Sequence, residues 1–308
     1  MKYSKNYMIF KKRKILVTHN GSFHSDDLFS AAAFSILFEK KKQRFKFIRT
    51  RDEEIIKKAD YVFDVGGIYD IETNRFDHHQ KGGAGKRDNG IEYSSFGLVW
   101  KKFGEEICES KELAQIIDNK LVAPIDAGDN GFSLVEKKHE IFPYGVQDVL
   151  SIFRPSSLEN LDKDSQFLKA VVWSKEILSR EIKKNSDQIE VVKIIQNFYE
   201  NSEDKRLVVI DAPKVSRYDI WDALQNFTEP LFAIFGDEEG WGIVTIRKEI
   251  SGFVAKKDFP QEWAGLTGEE FQKISGVDDA VFCHRGLFLA SAKSKEGAIK
   301  LAELALEA

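Results

Sequence analysis

The stretch KILVTHNGSFHSDDLFSAAAFSILFEKK, residues 14–41, decides the fold of the first half of the chain. Its opening segment KILVTHN predicts a buried strand that runs into a polar turn. The segment from Ser25 onward places apolar residues at helical spacing, with Ser25 or Asp26 as the N-cap, and therefore predicts a helix. A strand that passes through a short turn into a helix is the beginning of a parallel α/β unit.

The same alternation continues along the chain. RFKFIRT (44–50) and DYVFDVGG (60–67) predict strands, and DEEIIKKA (52–59) predicts a helix between them. Two further helices are predicted, the second broken near Pro124: SSFGLVWKKFG (94–104) and ESKELAQIIDNKLVAPIDAGDNG (109–131). Strand–helix–strand repeats at this pitch predict an α/β fold with a doubly wound, mostly parallel sheet.

A second alternating block begins after a charged helical region. Residues from about 161 to 200 are mostly helical and carry no cluster of reactive side chains. RLVVIDAP (206–213) then predicts the first strand of a second, smaller α/β domain, and KEGAIKLAELALEA (295–308) its closing helix. We therefore predict a first domain over residues 1–150, a helical connector over 151–205 and a C-terminal domain over 206–308.

Composition and charge exclude several classes of protein. The net charge of −4 means that any contact with nucleic acid must come from a local basic patch. The two cysteines, Cys108 and Cys283, give no disulfide framework and suit a reducing compartment. The basic N-terminus has no apolar core of a signal peptide, and no apolar run is long enough to span a bilayer. We expect a cytoplasmic protein without membrane contact.

Histidines and aspartates cluster where predicted strands end or helices begin. In a parallel sheet these ends meet in one crevice. Several imidazoles and carboxylates without cysteine disfavour structural zinc and suit Mn²⁺ best, with Mg²⁺ or Co²⁺ as alternatives. The candidates outnumber the ligands of one ion, and two ions about 3.5–4 Å apart would use them to clamp a displacement at phosphorus. The candidates are His19, His24, Asp26, Asp27, Asp64, Asp77, His78, His79, Asp126 and Asp129.

Each motif taken singly also has an ordinary structural interpretation. Ser25-Asp26-Asp27 is a normal helix cap with acids at the positive end of the dipole. FDHHQ (76–80) is compatible with a solvated loop, and IDAGDNG (125–131) with an ordinary turn cluster. The occurrence of all of them within one α/β block favours the metal site.

The motifs also resemble those of a known family. THNGSFHSDD (18–27), FDHHQ, SSFGLVWKKFG and IDAGDNG are similar to the signature of the melanocyte-proliferating-gene family, also labelled metal-dependent protein hydrolase. Residues 259–303 are similar to the C-terminal half of that family. The Asp-His-His triplet after an acid-terminated strand resembles the DHH phosphoesterase superfamily, which includes RecJ-type exonucleases, oligoribonucleases and manganese pyrophosphatases. A DHH-like catalytic first domain is what the resemblance implies.

The resemblance also implies roles for individual residues. One metal would be held by His19, His24 and Asp64. The other would be held by Asp26, Asp64, His78 and one acid of IDAGDNG, with Asp126 the first choice and Asp129 the alternative. Asp64 would then bridge the two ions.

Three catalytic residues follow from the same resemblance: Asp77, His78 and His79. Asp77 would orient a histidine, as carboxylates behind metal ligands commonly do. His79 would face the leaving group or a phosphate oxygen. The attacking water would lie between the metals, so no separate general base is required.

Substrate binding is predicted for FCHRGLFLASAKS (282–294), with His284, Arg285, Gly286 and Lys293 as the contact residues. Gly286 permits close approach of the backbone, and the Arg285 guanidinium matches phosphate geometry. The start of the closing helix after Lys293 favours an anion. A solvated hairpin with a helix cap is the alternative.

These features predict a metal-dependent hydrolase. A phosphodiesterase or 3′–5′ exonuclease acting on short or single-stranded RNA or DNA fits the resemblance best. A small-molecule phosphatase of the pyrophosphatase kind is one alternative, and a metal-dependent nucleotide-binding protein without turnover is another. The predicted partner is thus a nucleic acid or nucleotide, and the sequence is also compatible with a homo-oligomer.

Overall fold

The computed structural model describes residues 12–136, 138–212, 214–236, 240–249, 252 and 254–308. The prediction that the chain starts without a signal peptide falls largely on residues 1–11, which lie outside the described part. The chain divides into two compact units, Met1–Asn185 and Ser186–Ala308. Within the described residues, no helix combines the length and the apolar character that crossing a membrane requires.

The first unit alternates strands and helices as predicted. Its strands are β1 (Lys14–Thr18), β2 (Phe45–Arg49), β3 (Tyr61–Phe63), β4 (Tyr69–Asp70) and β5 (Arg75–Phe76). Its helices are α1 (Ser25–Lys40), α2 (Glu53–Lys58), α3 (Ser95–Cys108), α4 (Lys111–Ile117), α5 (Ala123–Asp129) and α6 (Val146–Ser151), and α7 (Lys163–Asn201) begins in it. The break predicted near Pro124 is a π-helical turn, Asp118–Val122, between α4 and α5.

The sheet of the first unit has the strand order β2-β1-β3-β5-β4. Strands β2, β1, β3 and β5 are parallel, and β4 pairs antiparallel with β5 at one edge. The mostly parallel sheet predicted from the alternation is therefore confirmed. The short strands β4 and β5 were not predicted, because runs of two paired residues leave no periodicity to detect.

Successive side chains of each strand point to opposite faces of the sheet, and both faces are covered. On one face Val17 and Val62 pack with Ile56 of α2. On the other face Phe34 of α1 makes ring contacts with Phe63 and with other aromatic side chains of β3, β5 and α3. Helices on both faces make the sheet doubly wound and hold its carboxyl edge in place. Truncating Phe34, which is fully buried, would cost about 3–5 kcal/mol of folding free energy.

The second unit is a separate α/β layer structure with its own core. Its elements are β6 (Leu207–Ile210), α8 (Arg217–Leu224), β7 (Phe232–Gly236), β8 (Trp241–Thr245), α9 (Gly268–Ser275), β9 (Ala280–Cys283), β10 (Leu289–Ala292) and α10 (Lys295–Glu307). The sheet order is β6-β7-β8-β10-β9, and only β6 and β7 are parallel. The division between the units falls inside α7, so the connector over 151–205 stays a prediction about organisation.

Candidate metal centre

Three neighbouring strands of the first sheet each end immediately before a predicted ligand. His19 follows β1, Asp64 follows β3 and Asp77 follows β5. Because β1 pairs with β3 and β3 with β5, all in parallel, the three positions lie side by side at one edge. The sequence therefore brings residues from three separate motifs to the carboxyl edge where α/β sheets bind ligands.

The start of α1 supplies further acids to the same edge. Asp26 and Asp27 are both fully buried in the first helical turn. One oxygen of Asp27 accepts a hydrogen bond from the backbone N–H of His24 at 3.0 Å, as the third residue of a helix does in a capping box. Neither oxygen of Asp26 has a hydrogen-bond partner among the described residues. The cap interpretation thus accounts for Asp27 but not for Asp26.

His19 faces two carboxylates with a single ring nitrogen. Its Nε2 lies 3.0 Å from Asp64 and 3.3 Å from Asp27. Its Nδ1 lies 3.0 Å from the carbonyl oxygen of Asn20, which can only accept, so that Nδ1 carries the proton and donates. This arrangement directs the lone pair of a neutral His19 toward the acids, where a cation is required to offset the repulsion. The same contacts favour a proton on Nε2: burial alone would lower the pKa of His19, but the adjacent carboxylates of Asp27 and Asp64 raise it to about 10.

His78 lies among three carboxylates, one of which, Asp64, also faces His19. Its Nε2 lies 3.3 Å from Asp129, 3.6 Å from Asp64 and 3.9 Å from Asp26, and it makes no hydrogen bond with a described residue. One oxygen of Asp64 faces His78, and the other faces the imidazole of His19. Asp64 therefore lies between two histidines, as a bridging carboxylate must.

The side chains form three overlapping groups of possible metal ligands within the described residues. The ligand atoms of each group lie within 4.8 Å of one another. The groups are His19–His24–Asp64, Asp64–His78–His79 and His24–Asp26–Asp129. The group His19–His24–Asp64 is the ligand set that the resemblance implies for one ion. Of the ligands implied for the other ion, Asp26 and Asp64 lie within 4 Å of His78.

Asp126 was the first choice for the variable ligand, and the structure places its carboxylate elsewhere. One oxygen accepts hydrogen bonds from the hydroxyl of Ser94 and, at 3.0 Å, from the N–H of Gly97. The other oxygen accepts from Arg87 at 2.6 Å. Asp126 belongs to none of the three groups, whereas Asp129, one turn further along, contacts His78. The geometry therefore favours Asp129 as the ligand.

Asp126 has a structural task instead. Arg87 binds it on one side and Asp118 bidentately on the other, at 2.7 and 2.9 Å. A Cβ added at Gly97 would overlap the Asp126 carboxylate, so glycine is what lets α3 approach α5 this closely. Burial raises the pKa of Asp126 to about 6, against the lowering effect of Arg87 and Ser94. The network fixes α5 and with it the position of Asp129.

Asp77 holds His79, as the resemblance implies that it holds a histidine. One oxygen of Asp77 lies 2.7 Å from His79 Nδ1, and the other accepts from the N–H of Gly67 at 2.6 Å. Asp77 is buried, whereas the side chain of His79 is 62% exposed. A fixed but accessible imidazole is able to meet a substrate.

The carboxylates of the cluster perturb one another. Burial and the charges of Asp64 and Asp129 raise the pKa of Asp26 well above its ordinary value. Burial also raises the pKa of Asp129. Burial would raise the pKa of Asp64 as well, but the adjacent imidazoles of His19 and His78 lower it to about 2. The cluster thus carries an excess of buried acid that bound divalent cations would offset.

The four residues predicted to bind substrate lie in the second unit. His284, Arg285 and Gly286 turn the chain between β9 and β10, and His284 Nδ1 accepts a hydrogen bond from the N–H of Gly286 at 3.0 Å. The start of α10, where an anion was predicted to bind, is occupied by the carboxylate of Asp279. This carboxylate accepts a hydrogen bond from the N–H of Ser294 at 2.8 Å. The backbone N–H of Lys293 donates to the Asp279 carbonyl.

Two arginines near the centre were not predicted. Arg51 follows β2 and lines a cavity together with His19, Asp64 and His79. Arg154 lines a second cavity together with Asp129. The rule that ligands bind at strand ends would have found Arg51, had it been applied to cations as well as to metal ligands. Arg154 follows α6 in a segment without a recognisable motif.

The fold and the site together define a class: an α/β protein whose parallel sheet carries, at its carboxyl edge, a centre of histidines and aspartates suited to divalent metal ions. The family model MYG1_exonuc, described as an uncharacterised protein family (UPF0160), matches residues 15–306, and the chain belongs to this family. The predicted membership is thereby confirmed.

Relatives of similar length support the assignment. The MYG1 protein of Chlamydia pneumoniae is 32% identical over 294 residues, which cover 94% of this chain and 96% of the relative. The human MYG1 exonuclease is 25% identical over 335 residues, covering 94% and 85%. The family model and this relative carry the name exonuclease, so the prediction of membership in a hydrolase family is confirmed. RecJ of Thermus thermophilus, solved with Mn²⁺, is 11% identical with a TM-score of 0.29 over 96% of this chain and 52% of RecJ.

Proposed function

We propose that the chain is a metal-dependent phosphodiesterase that acts as a 3′–5′ exonuclease on short or single-stranded RNA or DNA. One observation carries the proposal. Buried side-chain atoms converge at the carboxyl edge without a hydrogen-bond partner among the described residues: both oxygens of Asp26, one oxygen of Asp64 and Nε2 of His78. Leaving such atoms unpaired costs about 1–3 kcal/mol each, and more when they are charged. Metal coordination would satisfy them together.

The donor set fits two divalent ions. His19, His24 and Asp64 would hold one, and Asp26, Asp64, His78 and Asp129 the other. Oxygen and imidazole donors in this mixture favour Mn²⁺, with Mg²⁺ or Co²⁺ as alternatives. When bound, the ions would supply Lewis acidity at phosphorus and lower the pKa of an attacking water.

The remaining groups of the centre position and protonate the substrate. The carbonyl of Asn20 fixes the tautomer and ring orientation of His19. Asp77 accepts from His79 Nδ1–H and so fixes the ring, and the imidazolium form of His79 would donate from Nε2 to a phosphate oxygen or to the departing oxygen. In this way the chain orients the phosphate without a separate general base.

The surroundings of the centre favour a diester over pyrophosphate. A pyrophosphatase needs a closed cationic pocket around its small, highly charged substrate. Here two cavities open at the centre, and each of them has one arginine and two acids in its lining. A phosphodiester, with a substituent on each side of phosphorus and a single negative charge, suits this arrangement better.

The name exonuclease of the human relative supports the proposed substrate class. We also propose a cytoplasmic location, which the two free, buried cysteines support. A homo-oligomer stays a prediction, and the solution mass of the purified protein tests it.

The test is a turnover panel on one metal-free sample reloaded with Mn²⁺, Mg²⁺, Co²⁺ or Zn²⁺. The substrates are oligoribonucleotides and oligodeoxynucleotides labelled at either end, a dinucleotide, pyrophosphate and a peptide. We expect Mn²⁺ to restore most activity, and a 5′-labelled oligonucleotide to shorten from its 3′ end. Hydrolysis of pyrophosphate or peptide alone would contradict the proposal, and binding of nucleotides without turnover under every metal would support the non-catalytic alternative.

A further inference from the structure

The metal centre opens into two cavities within the first unit. The first, of about 510 Å³, is lined by His19, His24, Asp64 and His79 among others. The second, of about 410 Å³, is lined by His24 and Asp129. The two cavities therefore share His24, with His19 and Asp64 lining the first and Asp129 the second.

Each cavity contains one arginine, Arg51 in the first and Arg154 in the second. Among the described residues that line the cavities, these are the only arginines, and no lysine lines either cavity. Both arginines are exposed. Neither shows a hydrogen bond or ion pair from its side chain to another described residue, so both guanidinium groups are available to an anion.

Both arginines stand on backbone that is tied to the centre. Arg51 follows Thr50, whose N–H donates to the carbonyl of Thr18 at 2.8 Å, directly before His19. Arg154 donates its N–H to Ser151 at the end of α6. At the other end of α6, Gln147 donates to the carbonyl of Pro124 in α5, at 3.2 Å. The backbone positions of the two arginines are thus fixed relative to those of His19 and Asp129, and the exposed guanidinium groups can turn toward a ligand.

We propose that Arg51 binds the phosphate under attack and that Arg154 binds the next phosphate along the chain; this inference rests on the proposed function. Two of the three ligand groups, through His19, Asp64 and His79, border the first cavity, which is why the attacked phosphate is assigned to it. The second cavity then receives the adjoining nucleotide. A guanidinium offers two parallel donors that match phosphate oxygens. The centre therefore recognises a chain that carries consecutive phosphates.

The test compares substrates with and without a neighbouring phosphate. The substrates are a dinucleotide, the same dinucleotide with a terminal phosphate at its 5′ or 3′ end, and bis(p-nitrophenyl) phosphate, which is a diester with no neighbour. The measured quantity is kcat/KM, and its ratio between phosphorylated and unphosphorylated dinucleotide reports the second phosphate. We expect the wild-type ratio to be about ten or more for a phosphate at one of the ends.

The variants separate the two arginines. Arg154→Ala should lower that ratio about tenfold, as expected for loss of a hydrogen bond between charged groups, and Arg154→Lys should restore part of it. Arg51→Ala should lower kcat/KM about tenfold or more for every diester, including bis(p-nitrophenyl) phosphate, and leave the ratio unchanged. Arg44→Ala is the matched control, because Arg44 precedes β2 and Arg51 follows it at the opposite end of the strand. It should retain wild-type kinetics.

Binding gives an independent measurement. Calorimetry with dinucleotides whose bridging oxygen is replaced by methylene yields dissociation constants without turnover, and Arg154→Ala should remove the tighter binding of the phosphorylated form. If the wild-type protein hydrolyses none of the diesters, the proposed function fails while this measurement still tests the arginines. A ratio or a binding preference that survives in Arg154→Ala, or that is missing from the wild-type protein, overturns the inference.

Discussion

The carboxyl edge of the first sheet and the hairpin between β9 and β10 differ in how their polar groups are satisfied. At the edge, buried atoms of Asp26, Asp64 and His78 face one another without hydrogen-bond partners among the described residues. In the hairpin, His284 already accepts a hydrogen bond from Gly286, and the nearby helix start is occupied by Asp279. The first region needs something from outside the protein to complete it, and the second is already complete.

The difference separates two kinds of evidence for a site. A buried polar group that lacks a hydrogen-bond partner lowers the stability of the fold. Such a group is explained if a bound ligand supplies the missing partner. An exposed group such as Arg285 is hydrated and does not destabilise the fold, so its position is compatible either with substrate binding or with a purely structural role. We therefore expect substitutions at the edge to have much larger functional effects than substitutions in the hairpin.

The largest effect is expected for Asp64→Asn. Asparagine keeps the size and the backbone preference of the residue but removes the charge that both metal ions would share. We expect metal affinity to fall by more than about 100-fold and turnover to be lost. Removing a group that only supports a metal ligand already lowers metal affinity by up to about 100-fold, and Asp64 is proposed to be a ligand itself. Metal titration by calorimetry measures it. Asp60→Asn, at the other end of β3, is the control, since Asp60 binds Lys14 instead. If Asp64→Asn binds two ions at wild-type affinity, Asp64 is not the bridging ligand.

His78→Ala distinguishes a ligand from a loop residue. Because His78 Nε2 makes no hydrogen bond with a described residue, its removal should change the free energy of unfolding by less than about 1 kcal/mol, while kcat falls by at least about 100-fold. Denaturant unfolding and steady-state kinetics on one preparation measure both quantities. Similar losses of stability and activity, or little change in either, would favour the loop interpretation.

Asp126 and Asp129 should respond in opposite ways. Asp126→Ala leaves Arg87 buried beside a missing partner, and we expect it to lose about 3–5 kcal/mol of folding free energy. Asp129→Ala should change stability little and weaken binding of one metal ion. Thermal unfolding with and without Mn²⁺ measures the two effects, because only a lost ligand reduces the stabilisation by metal. The reverse pattern would restore Asp126 as the ligand.

The smallest effect is expected in the hairpin. Arg285→Ala should raise KM for oligonucleotides by up to about tenfold, with metal affinity unchanged and a smaller effect on kcat. Kinetics at two salt concentrations would detect the contribution of phosphate contacts. Unchanged kinetics in Arg285→Ala combined with His284→Ala would leave the hairpin as scaffold and make the contrast between the two regions complete.

The sequence predicted the part of the fold and site that depends on local pattern. The helix from Ser25, the strands that end before His19 and Asp64, and the acids at the helix start all follow from periodicity and the geometry of parallel sheets. The choice between Asp126 and Asp129 could not be made in this way. It depends on Arg87, which lies 39 residues before Asp126 and contacts it only in the folded chain.

Asp64 adopts a left-handed backbone conformation, with φ of 54°, which glycine, asparagine and aspartate adopt more readily than other residues. Position 64 must therefore satisfy two independent demands, one from the backbone and one from the chemistry. Glutamate keeps the carboxylate but is disfavoured in that conformation and has a longer side chain, while asparagine and glycine keep the conformation and lose the charge. Aspartate meets both conditions best, so we expect random mutagenesis that selects for turnover to leave this codon encoding aspartate.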